Sequence, residues 1–179
     1  IPESGIQSQV AFVPVKNTRT LNCCFAGHFN HRKGFDIFDK LACVLGGDDL
    51  FEFYSFGKGY IRPSRCIVNH GFVSRDLFLT HLKDMHILIL PSLREGTPQV
   101  IMEAISQNVL VISTDVGGIP FFISDQCCLP YDDFLTHVQV LLKNLLRPAF
   151  FNACLKSQSQ KSNSLTWENI SRKIVNHYD

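Results

Sequence analysis

The chain has 179 residues, 45% of them apolar, with 17 basic and 16 acidic side chains and a net charge of +1. That length supports one domain with a proper core, and a mean hydropathy of +0.07 excludes a disordered or fibrous chain. The near-neutral charge gives no bulk electrostatic draw toward nucleic acid or an anionic membrane surface, and no apolar run approaches the ~20 residues that span a bilayer.

In chain order, strand and helix patterns alternate. Leu21–Ala26 is a short apolar run with Cys and Phe and reads as a strand. Gly34–Leu45 sets Phe35, Ile37, Phe38, Leu41, Ala42 and Leu45 at helical spacing. Leu50–Phe56 alternates apolar and polar residues as a strand does, then runs into Gly57-Lys58-Gly59. Cys66–Val73 reads as a further strand, and Ser74 and Asp76 suit the start of a helix ending near Met85. Ile87–Leu90 is wholly apolar, as expected of a strand buried on both faces of a parallel sheet. A helix is expected over Pro98–Gln107 and a strand over Val109–Ser113. Helices are expected over Asp132–Leu146, Ala149–Ser159 and Thr166–His177, with a polar tract at Lys156–Ser164.

Strands alternating with helices predict an α/β fold, a Rossmann-like parallel sheet sandwiched by helices with right-handed crossovers. Ligands of such sheets bind outside the carboxyl ends of the strands. The loops 27–33, 57–60, 71–74, 94–98 and 115–119 all fall there. The seven cysteines include the adjacent pairs Cys23-Cys24 and Cys127-Cys128 and no C-x-x-C. They read as small buried hydrophobes in a reducing cytosol. With no initiator Met and no signal-peptide pattern, Ile1 reads as a fragment boundary.

The stretch from Glu95 to Glu103 carries the most chemistry. Its two carboxylates stand eight residues apart, the first after the apolar run and the second within an amphipathic helix pattern. A strand, a short polar loop and a helix start in that order make an anion site, because free N–H groups and the positive end of the helix dipole attract phosphate. Gly96 admits close backbone approach, Thr97 suits the N-cap and Pro98 the first helical position. Glu95 is expected to project into the crevice above the strand ends, and Glu103 to reach back over it.

Lys33 opens the first helix, where its ammonium either reaches the crevice or stays in solvent. His28 either donates to a phosphate or is a plain surface histidine. Gly117-Gly118 is a flexible turn beside the crevice or an ordinary one. Gly57-Lys58-Gly59 lacks the third glycine of a dinucleotide fingerprint and precedes Pro63, and no G-x-x-x-x-G-K-[ST] occurs. NAD-type and P-loop sites are therefore not expected. No D-x-D pair stands at a strand end in the crevice, so no metal is expected.

Together these segments resemble the C-terminal, nucleotide-sugar-binding half of GT-B glycosyltransferases of the retaining group 1, family 4 type, over nearly the whole chain. Residues 1–6 look like the segment that leaves the N-terminal domain. Gly27–Asp36 resembles the first phosphate loop, and Asn69–Val73 the strand and turn that hold the base. Glu95 through Glu103 matches the E-x7-E motif, the most specific sign. Asp115–Pro120 is similar to the loop that follows, and Thr166–Ile170 to the closing helix.

The resemblance implies that residues 1–179 are a C-terminal donor-binding domain whose acceptor-binding N-terminal partner lies outside these residues. It implies transfer of a hexosyl-type group with retention, from UDP-sugar first and GDP-sugar next, to a glycan or lipid-linked acceptor in polysaccharide biosynthesis. Catalytic roles fall to Glu95, which would bond the donor sugar, and to Lys33. Glu103 would hold the ribose hydroxyls, and Phe72 and Val73 would flank the base. The N–H groups of Gly96, Thr97 and Gln99, with His28 and Lys33, would meet the diphosphate. No cofactor beyond the donor substrate and no nucleic acid partner are implied. The implied location is the cytoplasm, at the inner face of the membrane for the full-length protein. The isolated domain would bind donor without turnover.

One departure stands out. The family it resembles usually has Arg where this chain has His28, and an arginine is always charged, whereas a free histidine is charged only below about pH 6.5. That substitution keeps open a non-catalytic binding or scaffold role. A sugar-nucleotide epimerase is the remaining alternative.

Overall fold

The computed structural model describes residues 12–14, 19–96 and 98–165. Six strands, β1 (Leu21–Phe29), β2 (Phe51–Gly59), β3 (Val68–Gly71), β4 (Ile87–Leu90), β5 (Leu110–Thr114) and β6 (Cys128–Leu129), form one sheet in the order β3-β2-β1-β4-β5-β6. Every pairing is parallel. The helices are α1 (Phe35–Leu45), α2 (Arg75–Leu82), α3 (Gln99–Ser106), α4 (Phe134–Leu145) and α5 (Pro148–Ser164).

The order doubles back beside β1. The chain steps outward through β2 and β3, then returns to β4 on the other side. Right-handed crossovers in opposite directions put their helices on opposite faces. Accordingly α1 packs with α4, and α2 with α3. The reversal opens a crevice between the carboxyl ends of β1 and β4, where ligands of doubly wound sheets bind.

Aromatic packing fixes the β1 side of that crevice. Phe29 on β1 stacks on Phe35 of α1 with centroids 4.0 Å apart, and Phe25 meets Phe35 edge-on at 5.0 Å. All three rings are buried. The turn from β1 to α1, which carries Lys33, is therefore anchored at both ends. On the other side β4 is buried at every position, as its unbroken apolar run predicts.

Several expectations need correction. The loops expected at 27–33 and 57–60 begin later, because β1 and β2 continue pairing through Phe29 and Gly59. Gly57-Lys58-Gly59 thus lies inside β2. The third strand is shorter than 66–73, and α3 starts at Gln99 with Pro98 as its N-cap, so Pro98 is not the first helical residue. The two-residue β6 is absent from the sequence reading, being too short to show a period. Cys43 and Cys66 are exposed, whereas Cys23, Cys24, Cys127 and Cys154 are buried as expected. The expected helix Thr166–His177, residues 1–6 and Thr97 lie outside the described residues.

The polar tract Lys156–Ser164 is the end of α5. Its composition hides a structural role. Gln158 is 1% exposed, donates Nε2 to the Val109 carbonyl at 2.8 Å and accepts from the Val111 N–H at 2.8 Å. The short β6 pairs only with Ser113 and Thr114. One carboxamide therefore serves this edge of β5 as a peptide unit of a neighbouring strand would.

Candidate functional site

The turn after β1 is built to present Lys33. Asn30 accepts the Lys33 N–H on its Oδ1 at 2.9 Å and caps the single 3-10 turn His31–Lys33. Gly34 then adopts φ +72°, where side chains are strained. A Cβ at Gly34 would lie 1.9 Å from the Pro91 carbonyl, so this close approach of the β1 and β4 turns requires glycine. The Leu93 N–H donates to the Arg32 carbonyl at 2.8 Å and ties the same turns together.

The turn after β4 is laced from β5. Ser113 Oγ donates to the Leu90 carbonyl at 2.7 Å, Thr114 Oγ1 to the Ser92 carbonyl at 2.6 Å, and the Gly118 N–H to the Gly96 carbonyl at 2.9 Å. Ser92, Ser113 and Thr114 are fully buried, so each hydroxyl acts in a dry setting where an unmade bond would be costly. Gly117 sits at φ +59°, with its missing Cβ position 2.1 Å from the Glu95 carbonyl. The Gly117-Gly118 turn is thus a template for the Glu95 loop.

Within this frame Lys33 Nζ donates to Glu95 Oε1 at 2.5 Å, and Ser92 Oγ donates to the same oxygen at 2.9 Å. The two charged side chains are 19% and 7% exposed. Glu95 does not project freely into the crevice, as the sequence led us to expect. It is folded beneath Lys33, because the ammonium and the Ser92 hydroxyl together compensate its carboxylate.

Beside this pair lies a crevice of about 710 Å³. His28, Lys33, Phe72, Val73, Gln99 and Glu103 all line it, so six of the sequence-selected residues come together there. Pro98, Gln99 and Val100 bring the start of α3 to its wall, and the first N–H groups of a helix have no intrahelical acceptor. Glu103 is paired as well. Arg75 Nε donates to its Oε1 at 2.7 Å, with the Glu103 side chain 15% exposed. Gly96 is exposed on the adjoining turn.

Phe72 is displayed by a turn held at both ends. Asn69 Oδ1 accepts from Ser55 Oγ and from the Gly71 N–H, each at 3.0 Å, and Ser74 caps α2 by accepting from the Leu77 N–H. The ring is 76% exposed, with Lys58 Nζ 5.1 Å from its centroid. His70 stacks on Phe56 at 4.9 Å, and burial, followed by the neighbouring His81, lowers its pKa.

Ser92, Arg75 and Lys58 escaped the sequence reading as site residues. Only Lys58 carried a local signal, lying in a glycine motif that suggested the wrong ligand class.

Residues 20–144 match the family model described as glycosyl transferases group 1. The chain belongs to that family. No curated protein matches it in sequence. Solved structures share the fold of this glycosyltransferase domain. TarM superposes with a TM-score of 0.67 at 17% identity, over 94% of this chain and 37% of TarM. Sucrose-phosphate synthase from Thermosynechococcus elongatus gives 0.64 at 18%, over 89% and 45%. The lipopolysaccharide outer core galactosyltransferase WaaB gives 0.59 at 16%, over 89% and 52%. The chain thus spans 37% to 52% of these relatives. No described helix of the domain is long and apolar enough to cross a membrane.

Proposed function

We propose that this domain is the donor-binding half of a retaining GT-B glycosyltransferase and that the crevice takes a nucleoside diphosphate sugar, UDP-linked first and GDP-linked next. The observation that carries the reading is the Lys33–Glu95 pair at the strand-order reversal, beside the start of α3 and the Glu103 carboxylate. A leaving nucleoside diphosphate gains negative charge as the glycosidic bond breaks. Fixed N–H donors and a cation stabilise that charge. In this reading Lys33 and the N–H groups of Gly96, Thr97 and Gln99 take the diphosphate, assisted by His28. Glu95 exchanges part of its bond to Lys33 for a hydroxyl of the sugar. Glu103 accepts from the ribose diol, and Phe72 and Val73 flank the base.

The acceptor, a glycan or a lipid-linked sugar, would be held by a second domain beyond these residues. The transfer would take place in the cytoplasm, at the inner face of a membrane. A structure of the S. aureus TarM G117R mutant, which shares this fold, is a complex with fondaparinux, α-GlcNAc-glycerol and UDP.

A panel of nucleotide sugars tested by thermal shift checks the reading, because a ligand that binds only the folded state raises its stability. UDP- or GDP-sugars should raise the melting temperature of the domain, with no donor turnover. A panel with no responder among them would contradict the assignment.

One observation favours a second reading, a non-catalytic sugar-nucleotide-binding domain: Glu95 is already compensated by two donors, and His28 stands where the resemblance places an arginine. A longer chain containing the acceptor-binding half distinguishes the two. Release of nucleoside diphosphate on adding acceptor supports the transferase, and binding without release supports the second reading.

A further inference from the structure

We propose that Lys58, from β2, completes a two-part nucleotide clamp with Phe72: Phe72 flanks the base, as in the reading above, and Lys58 adds an ammonium for the phosphates. The inference rests on the donor-site reading above and adds a residue to it.

Charge accounting in the crevice leads to Lys58. Four basic side chains line it: His28, Lys33, Lys58 and Arg75. Lys33 is bonded to Glu95 and Arg75 to Glu103. Among the described residues, neither Lys58 nor His28 has a carboxylate partner within 4.0 Å. Of these two, the lysine brings a compact ammonium with three donors on a flexible stem. A dianionic or trianionic ligand is best met by a cation that it need not first detach from a carboxylate.

Register places that cation. Lys58 pairs with His28 across the parallel β1–β2 ladder, and both line the crevice, as do Ala26 and Phe56 two residues earlier on each strand. Side chains of one strand alternate between faces with a period of two, so these four share one face of the two strand ends, and Gly27 and Gly57 between them line the crevice with backbone alone. Lys58 continues that face toward Phe72, where its ammonium rests 5.1 Å from the ring centroid.

The exposed ring supplies the second half. A phenylalanine 76% exposed on a turn pinned by Asn69 and Ser74 is held where its face meets the crevice. Its attraction for the Lys58 ammonium is of the cation–π kind and weak when exposed. A nucleotide offers a partner to each member: a flat base for the ring and phosphate oxygens for the ammonium. Base–aromatic stacking and a charge-assisted N–H···O⁻ bond are both stronger than the contact they displace.

Calorimetry and ligand-observed NMR at neutral pH would compare UDP and GDP with the nucleosides uridine and guanosine, on the parent domain and on Lys58→Met, Lys58→Arg and Phe72→Ala. Lys58→Met should weaken the bound nucleoside diphosphate about 5- to 30-fold, the effect of one charge-assisted bond in a half-open cleft, and leave its nucleoside unchanged. Lys58→Arg should retain most of the affinity. Phe72→Ala should weaken nucleotide and nucleoside alike. An unchanged melting temperature checks that each variant is folded. Parent-like diphosphate binding by Lys58→Met, or an equal loss of nucleoside binding, would overturn the role of Lys58. Parent-like nucleoside binding by Phe72→Ala would overturn the stacking half. A parent domain that binds none of the four ligands at millimolar concentration would instead overturn the donor-site reading itself.

Discussion

Lys33 and Glu95, 62 residues apart in sequence, meet at 2.5 Å across the point where the strand order reverses. One stands on the turn after β1 and the other on the turn after β4, so the pair reports directly on the geometry of the crevice. Both side chains are largely shielded from water, and Ser92 shares the carboxylate. Removing one partner strands the other charge. Lys33→Met and Glu95→Gln should each cost about 1–3 kcal/mol in urea denaturation. The double variant should cost clearly less than the sum, because the second change removes the stranded group. Strict additivity would show that the two do not interact in solution.

Gly117 tests the template for the Glu95 loop. Its φ of +59° and the Glu95 carbonyl 2.1 Å from the Cβ it lacks leave no room for a side chain. Gly117→Ala should destabilise the domain by at least about 1 kcal/mol from backbone strain alone, and should also weaken binding of a nucleotide sugar more than binding of the bare nucleotide. Gly47→Ala is the control, since a Cβ there meets nothing within 4 Å. Equal stability of the two variants would contradict the template role.

Gln158 tests whether α5 completes the sheet. Replacing it with leucine leaves a buried N–H at Val111 and a carbonyl at Val109 without their partner. Gln158→Leu should cost about 2–4 kcal/mol, at about 1–3 kcal/mol for each unsatisfied group with partial relaxation. A neutral substitution, measured by thermal and urea unfolding, would show that another group pairs with this edge.

Acid should weaken the fold through His86. Its Nδ1 accepts the Asn22 N–H at 3.0 Å, and burial lowers its pKa from the ordinary 6.5. Protonation would turn that acceptor into a donor facing a donor. Because the folded value lies below the unfolded one, the unfolded chain binds more protons in between. The stabilisation is complete above about pH 6.5 and is lost as pH falls through the folded value. His70, also lowered, acts with the same sign. His86→Gln should therefore lose less unfolding free energy than the parent between pH 7.5 and pH 5. Identical profiles would remove His86 from the acid response.

Much of this architecture was legible in the residues, and its limits follow from physical causes. The apolar run Ile87–Leu90 announced a central parallel strand because burial on both faces leaves no alternation to read. The helical spacing of Phe35, Phe38, Leu41, Ala42 and Leu45 marked the buried stripe of α1. Glu103 could be placed at the crevice from strand–loop–helix order, whereas Glu95, expected to project into it, lies instead against Lys33 and Ser92. The pairings Lys33–Glu95 and Arg75–Glu103 could not be read, because their members meet from 62 and 28 residues apart through the topology of the sheet. The polar end of α5 read only as a polar tract, because periodicity counts apolar residues. Gln158 is buried for its hydrogen bonds, which no hydropathy pattern displays.

The most direct test of the donor site is calorimetry of UDP and GDP with the parent domain, Glu103→Ala and Glu95→Ala, with and without chelator. The account expects the parent to bind at least one of the two nucleotides and to bind it equally well with chelator. Glu103→Ala should lose about 1–3 kcal/mol, the usual range for a hydrogen bond to a charged group. Glu95→Ala should lose much less, since its assigned partner is the absent sugar. Parent-like binding by both variants, binding abolished by chelator, or no binding of either nucleotide at millimolar concentration would contradict it.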